Sequence, residues 1–517
     1  MSNRTAWEKA AAAEGTTDSE RALTRLARRA FLSLWSYPNV YSDEGRSRGT
    51  GDGKELVDLL VVFGDNVLLF SDKHCKYQTD TDVKVAWPRW YKRAIDKSAR
   101  QLSGAESFIR RFPRRIFVDK DCQTPLPVAL PDASVARYFL IAVTRGSHEA
   151  AAHFFGGGSS GSLMLNSLLE GDAHHGTPFE VGFPIKGRRF IHVLDEMTVD
   201  ALLEELDTVP DLAAYLECKE AYLGTRAVFM HVAGEEELLA QYMCTMDDGK
   251  HALPKVPAGA GGVSLLEGDW KFYRTSPQRA AKREADAGSY MWDSLIEYQA
   301  SFIRAGTAIG LPEIPPETID HERILRALAA ETRLSRRELA AHLRHALMHS
   351  EPGKKFARMT LSGDSMSRAY VFLTAPKPEG LSYQEYRELR SAALLTYCHG
   401  IKLRFPFAKE AIGIASEPFS ERIASQDFLY VSLEEDMSAD EQAHWREAME
   451  ELDVLQTPSP EVKLFGGRSH EFPMPFEFGR PKFYEYPTGT PMNRAKRRSM
   501  EREARSAAKK AAKRKRL

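Results

Sequence analysis

Residues 55–73 read ELVDLLVVFGDNVLLFSDK, and this stretch decides the fold. Two apolar runs, 55–63 and 67–73, flank the turn Gly64-Asp65-Asn66. Strand-length apolar runs separated by a short Gly-containing turn predict an antiparallel hairpin. Each run also carries charge that an apolar strand does not explain. Asp58 lies inside the first run, where a carboxylate is costly unless it is paired or metal-bound. The second run ends in the polar cluster Ser71-Asp72-Lys73.

Upstream, Thr17-Asp18-Ser19-Glu20 has the form of a capping box. Leu23, Leu26, Ala27, Ala30, Phe31 and Leu34 then recur at helical spacing, which predicts a helix with one buried face. Ser36-Tyr37-Pro38-Asn39 ends it, because the residue before proline disfavours helix. Residues 45–53 read as a Gly/Ser/Arg-rich loop, and no strand is clear within 37–50. Downstream, Tyr91, Ile95, Leu102, Ala105 and Ile109 share a face of a long helix, about 87–111. Strands are expected at 115–119 and 136–144. The order is helix, strands, helix, strands.

Phosphodiester cleavage needs a divalent metal to bind phosphate and activate water, and positive charge for the transition state. Carboxylates supply hard oxygen ligands for Mg²⁺. Glu20, Asp58, Asp72 and Lys73 offer these groups in compact order. On these residues the chain resembles the PD-(D/E)xK nuclease superfamily, over about 130 residues. That resemblance implies a restriction-endonuclease-like α-β-β-β-α-β core. It implies Glu20 as the helix glutamate, Asp58 as the strand aspartate and Lys73 as the lysine. Asp58, Asp72 and Glu20 become the expected ligands of Mg²⁺ or Mn²⁺, and Gln101 or Lys97 the polar residue of the following helix. The match departs at Ser71, where the family has an acid two positions before the lysine. In a regular strand Asp72 points away from Lys73, so Asp72 is a ligand only if a bulge turns it. Glu55 has the opposite parity to Asp58 and is expected to point away from it.

Other motifs carry less. The segment 156–162, GGGSSGS, is a linker or lid, since without a GK[ST] ending it is no P-loop. His345 and His349 stand at i, i+4 but lack the glutamate of an HExxH site. His192 and Asp195 sit where a strand, 189–194, runs into a helix. Helices are expected to begin after Thr198 and after Asp211. Trp87 and Trp90 beside Arg89, Lys92 and Arg93 form a mixture that can track a nucleic-acid backbone and stack bases; ordinary helix amphipathicity explains it equally.

The 517 residues are too many for one core and predict about three domains. The expected division is 16–150 as the nuclease-like domain, 163–350 as a mainly helical accessory region, 355–454 as a small α/β domain, and 455–517 as linker and tail. Helices are expected at Glu235–Met243, Tyr290–Ile303 and Pro316–Leu347, then strands at 369–375, 410–416 and 427–433 around a helix at Tyr383–His399. The fold class is therefore α/β. Five scattered cysteines with no CxxC pair argue against disulfides and structural zinc, and for reduced, mostly buried thiols. No apolar run spans a bilayer and no signal-peptide core is present, so a cytoplasmic protein without a membrane partner is expected. The net charge of −1 hides an asymmetry. Residues 494–517 hold 12 Lys/Arg and 2 Glu, a net of +10, so the other 493 residues carry −11. A basic tail on an acidic body suits a polyanion, most simply nucleic acid. The expectation is a Mg²⁺-dependent nuclease acting on DNA rather than RNA. Large chains of this kind are similar to restriction and antiphage-defence proteins, which implies that setting and a homo-oligomer or defence-complex partner. The alternative is a non-catalytic nucleic-acid-binding or scaffold protein on a degenerate nuclease fold.

Overall fold

The computed structural model describes residues 3–47, 51–156, 158–225, 228–256, 259–311, 321–348, 353–418, 425–452, 454, 470–474, 476 and 486–487. The basic tail, His349 and most of the 455–493 linker lie outside them. The protein is mixed α/β and divides into two compact units, 1–280 with 474–517, and 281–473.

In the first unit, α1 (Asn3–Ala12) and α2 (Asp18–Phe31) precede β1 (Ser36–Ser42). The short α3 (Glu44–Ser47) leads to β2 (Lys54–Phe63) and β3 (Asn66–His74). The Thr17 and Glu20 capping box forms as expected. The β2–β3 hairpin closes with Phe63 opposite Asn66, and Gly64 takes φ +55°, a left-handed conformation that glycine adopts without cost. The helix ends earlier than its apolar pattern, at Phe31, and the segment around Pro38 is a strand. Proline fits there because Pro38 pairs with Leu59 on one side, while the neighbour on the other side pairs only with Tyr41 and Ser42.

A long helical stretch follows, α4 (Val83–Tyr91) and α5 (Lys97–Arg111), joined by a π-turn at Lys92–Asp96. Then come β4 (Ile116–Phe117), β5 (Arg137–Arg145), α6 (His148–Phe155), β6 (Met164–Glu170), β7 (Glu180–Phe183) and β8 (Ile191–Asp195). The first sheet has the order β4-β1-β2-β3-β5-β8. Its first four strands pair antiparallel, whereas β3, β5 and β8 run parallel. Helices α2 and α5 cover opposite faces. Phe70 packs near Phe31 of α2, with tilted rings whose centroids are 6.5 Å apart, and the next residue, Ser71, meets Ser98 of α5. Because both faces are covered, Val57–Phe63 and Val67–Phe70 are buried without interruption, as their continuous apolar runs require.

Next are α7 (Glu196–Glu205), α8 (Val209–Gly224), β9 (Phe229–Val232), α9 (Glu235–Cys244), a small ribbon of β10 (Met246–Asp247) and β11 (Lys250–His251), β12 (Ala260–Leu265), α10 (Asp269–Arg274) and α11 (Pro277–Asp286). The stretch 163–350 thus holds short strands among its helices, which the expectation of a mainly helical region did not include. Strands β7, β6, β9 and β12 form a second sheet, edged by Tyr486–Pro487. These strands are only four to seven residues long, and β7 and β12 contain glycine, which leaves little periodic signal.

The second unit holds α12 (Tyr290–Ala305), α13 (His321–Ala329) and α14 (Arg333–Met348), then β13 (Phe356–Leu361), β14 (Arg368–Thr374), α15 (Tyr383–Arg404), β15 (Glu410–Ser416), β16 (Gln426–Ser432) and α16 (Ala439–Glu451). Of the single helix expected over 316–347, residues 316–320 lie outside the described residues and the rest forms two helices. Thr332 breaks it, because its amide and hydroxyl bond to Asp364 and its own hydroxyl oxygen accepts from the Ser335 amide. The sheet order is β13-β14-β15-β16, with α15 crossing between the parallel pair β14 and β15. Leu394, Tyr397 and Ile401 of α15 pack on Val371, Leu373 and Ala411. No described helix is long and apolar enough to cross a membrane. All five cysteines are free; Cys398 alone is buried, and the other four are only half-buried.

Candidate active site

The β2–β3 ladder runs from Phe63 opposite Asn66 to Leu59 opposite Phe70. At the next position the carboxylate of Asp58 takes over. Its Oδ2 accepts from the Asp72 amide at 2.5 Å and from Lys73 Nζ at 3.3 Å. Asp58 is 3% exposed, so the bond to Lys73 forms largely out of water. Burial pushes the Asp58 carboxyl above its ordinary range; Lys73 and the Asp72 amide pull it back, and Glu20 opposes them. The strand-interior aspartate therefore has the partner its burial demands.

Glu20, at the start of α2, accepts from the amides of Thr16 and Thr17 at 2.8 and 3.3 Å. The same Oε2 also accepts from Asn39 Nδ2 at 3.3 Å. Asn39 Nδ2 in turn donates to Glu55 Oε1 at 2.7 Å. The Asn39 backbone sits at φ +46°, a left-handed conformation that asparagine tolerates better than most residues. One side chain thus ties the α2 glutamate to a β2 glutamate.

Glu55 arrives there through a bulge. Val40 pairs with Val57, but Tyr41 pairs with Glu55, so Leu56 is an extra residue in β2. In a regular strand residues 55 and 58 face opposite sides. The inserted residue reverses that parity and brings Glu55 to Asp58's side, contrary to the alternation rule. Gln101 of α5 holds the bulge: its Nε2 donates to the Leu56 carbonyl at 3.2 Å, and its Oε1 accepts from Ser71 Oγ at 3.4 Å. Loss of water around its carboxyl raises the Glu55 pKa; Asn39 lowers it, and Asp58 and Glu20 raise it further. Tyr41 faces the same charges, with its hydroxyl pKa raised by burial, Glu55 and Glu20.

Asp72 goes elsewhere. Both its oxygens meet Arg145 Nε, at 3.0 and 3.3 Å, and Ser19 hydrogen-bonds it as well. Burial raises its pKa and Arg145 opposes the shift. It touches Asp58 through its backbone amide, not its carboxylate. No bulge turns it toward Lys73, and Ser71 faces Ser98 and Gln101 on α5. The structure therefore gathers Glu20, Asp58 and Lys73 with Asn39, Tyr41 and Glu55, and ties the Asp72 carboxylate to Arg145. Lys97 is exposed and joins nothing here.

Two other expectations change. Trp87 and Trp90 are fully buried, and their indole nitrogens donate to the carbonyls of His174 and Cys75, so neither offers a stacking face. His192 Nε2 meets Glu220 Oε1 at 3.0 Å rather than Asp195, whose Oδ1 caps α7 at Met197 and Thr198.

Of the residues passed over, Asn39 and Arg145 gave no sequence signal, and Glu55 was hidden by the bulge. Asp58, Glu55 and Glu20 are hard oxygen donors beside a lysine, a set whose chemistry suits Mg²⁺ or Mn²⁺. Among the described residues, the three carboxylates whose oxygens lie within 4.8 Å of one another are not these but Glu236, Glu237 and Glu267. Compared with family models, curated proteins and solved structures, the chain matches none.

Proposed function

We propose that the chain is a metal-dependent nuclease of the PD-(D/E)xK kind, with Glu55 in place of the acid that Ser71 lacks. The observation that carries this is the convergence of Asp58, Glu55, Glu20 and Lys73 at the end of the β2–β3 ladder. The order of elements supports it: a helix, three antiparallel strands, a helix on the opposite face, then a parallel strand.

Hydrolysis joins a water oxygen to phosphorus and breaks the bond to the leaving oxygen, which departs with the electron pair and gains a proton. Asp58, Glu55 and Glu20 would hold Mg²⁺ or Mn²⁺, which supplies Lewis acidity and a more acidic water. Lys73 stabilises the negative charge that grows on the phosphoryl oxygens. Asp58 holds the Lys73 ammonium in place, and Asn39 and Gln101 fix the bulge that aims Glu55. The substrate class is nucleic acid, with DNA ahead of RNA, and the basic segment 494–517 supplies salt-sensitive attraction to it. The setting by analogy is restriction or antiphage defence in the cytoplasm, as a homo-oligomer or with a defence partner.

One observation favours the non-catalytic reading, a scaffold on a degenerate nuclease fold. Ser71 stands at the acid position and the neighbouring Asp72 is sequestered by Arg145. Plasmid nicking with Mg²⁺ or Mn²⁺ separates the two. The nuclease reading expects nicking by the wild type, and loss in Asp58→Ala and Lys73→Ala while far-UV dichroism is unchanged. Equal activity in both variants, or none in the wild type with either metal, leaves the scaffold reading.

A further inference from the structure

Three consecutive glutamates open α9, and all three are buried. Their partners differ. Glu235 is neutralised by Lys219 and accepts the Tyr215 hydroxyl at 2.6 Å. Glu237 accepts three backbone amides, from Gly268 at 2.9 Å, Asp269 at 2.7 Å and Trp270 at 2.9 Å. Glu236 is 4% exposed, and neither of its carboxylate oxygens has a hydrogen-bond partner. It folds back over Gly234, where a Cβ would lie 2.5 Å from Glu236 Oε2. Glu267, in the turn two residues after β12, completes the group and accepts the Ser160 amide from the glycine-rich loop at 3.0 Å.

We propose that Glu236, Glu237 and Glu267 form a binding site for a hard divalent cation such as Ca²⁺, Mn²⁺ or Mg²⁺. Their oxygens lie within 4.8 Å of one another. Two oxygens on opposite sides of a Ca²⁺ stand about 4.6–5.2 Å apart, so the group has the span of a coordination shell. Backbone amides aim two of the carboxylates, as outer-shell donors do in metal sites. The third is bare, and a buried carboxylate with no partner is costly unless a cation answers it. The donors are all carboxylate, without histidine or cysteine, which suits Ca²⁺, Mn²⁺ or Mg²⁺ over zinc. Glu237 is pushed up to about 8 and Glu267 to about 7, burial being the largest cause in each, with repulsion from Glu236 contributing to both. Asp195 adds negative charge beside Glu236. The group stands apart from the β2–β3 carboxylates in its charges: Lys73 and Glu20 act on Asp58, whereas Glu267 and Glu236 act on Glu237.

The test counts Mn²⁺ bound to the full-length chain, stripped with chelator, from the free-ion electron paramagnetic resonance signal. Asp58→Ala is the background, so that an ion at the β2–β3 site does not contribute. One Mn²⁺ should bind with a Kd of about 1 mM or tighter, and saturation should raise the melting temperature. Glu236→Gln, which keeps the shape, should weaken that binding at least about tenfold. Glu267→Gln serves if the first variant does not fold. No bound Mn²⁺, no rise in melting temperature, or equal binding to a folded glutamine variant overturns the site.

Discussion

Asp58 and Glu236 are both carboxylates buried in the first unit, 3% and 4% exposed, yet they are accommodated in opposite ways. Asp58 has a cation from its own chain, Lys73, and a backbone amide. Glu236 has neither. In the β2–β3 group Lys73 answers Asp58 and Arg145 answers Asp72, whereas Glu20 and Glu55 share only the neutral amide of Asn39 and so leave negative charge for a metal. The α9 group compensates Glu235 and Glu237 and leaves the residue between them bare. A buried acid can be stabilised by the fold or left to a ligand, and the difference can be read from the hydrogen bonds even where the sequences, an aspartate in a strand and a run of glutamates, look equally charged.

The largest effect that would sharpen this comparison comes from Arg145. Arg145→Met leaves Asp72 as a buried carboxylate without a cation, and should cost about 3–5 kcal/mol of stability in urea unfolding. Arg145→Met with Asp72→Asn should recover most of it. If the single variant loses less than about 1 kcal/mol, as a surface pair would, Asp72 is not held in the way described.

A smaller effect concerns the bulge. Gln101→Ala removes the donor to the Leu56 carbonyl and should cost about 1 kcal/mol, with a fall in nicking rate. Lys97→Ala, on the exposed side of the same helix, should change neither. Equal effects of the two would mean that the bulge does not depend on Gln101.

The smallest is a pH effect unrelated to either carboxylate group. His174 donates from Nδ1 to the Gly171 carbonyl and accepts the Gly182 amide at Nε2, so it is built in as the neutral ring. Burial depresses its pKa to about 4 from an ordinary 6.5. Between those values the unfolded chain binds more protons than the folded one, so stability should fall as pH falls from about 6.5 to 4. The raised carboxyls of Glu237 and Glu267 act in the opposite direction over the same range, so the comparison isolates the ring: between pH 7 and pH 5 the melting temperature of the wild type should fall relative to that of His174→Gln. An equal drop in both would place the loss elsewhere.

Much of the frame was legible in the sequence because its signals are local. The capping box at Thr17 and Glu20, the Gly64 turn and the continuous apolar runs each act within a few residues. What was hidden depends on partners far along the chain. The β2 bulge exists because Tyr41 pairs with Glu55 across a loop, so alternation counted along β2 alone gives Glu55 the wrong face. Arg145 meets Asp72 across 73 positions, through the parallel pairing of β3 and β5. The tryptophans of α4 read as amphipathic with basic neighbours, but packing against Phe179 and His174 buries them. The second sheet, built from strands of four to seven residues, left no period to count.

The central claim is that the bulge makes Glu55, and not Asp72, the acid that works beside Asp58. Nicking of supercoiled plasmid in Mg²⁺ by Glu55→Gln and Asp72→Asn tests it most directly, with dichroism confirming the fold of each. Glu55→Gln should lose about 10²–10³-fold in rate, because it weakens the hold on the metal that stabilises transition-state charge, while Asp72→Asn stays within about tenfold of wild type. The reverse result, an active Glu55→Gln and an inactive but folded Asp72→Asn, would contradict the account.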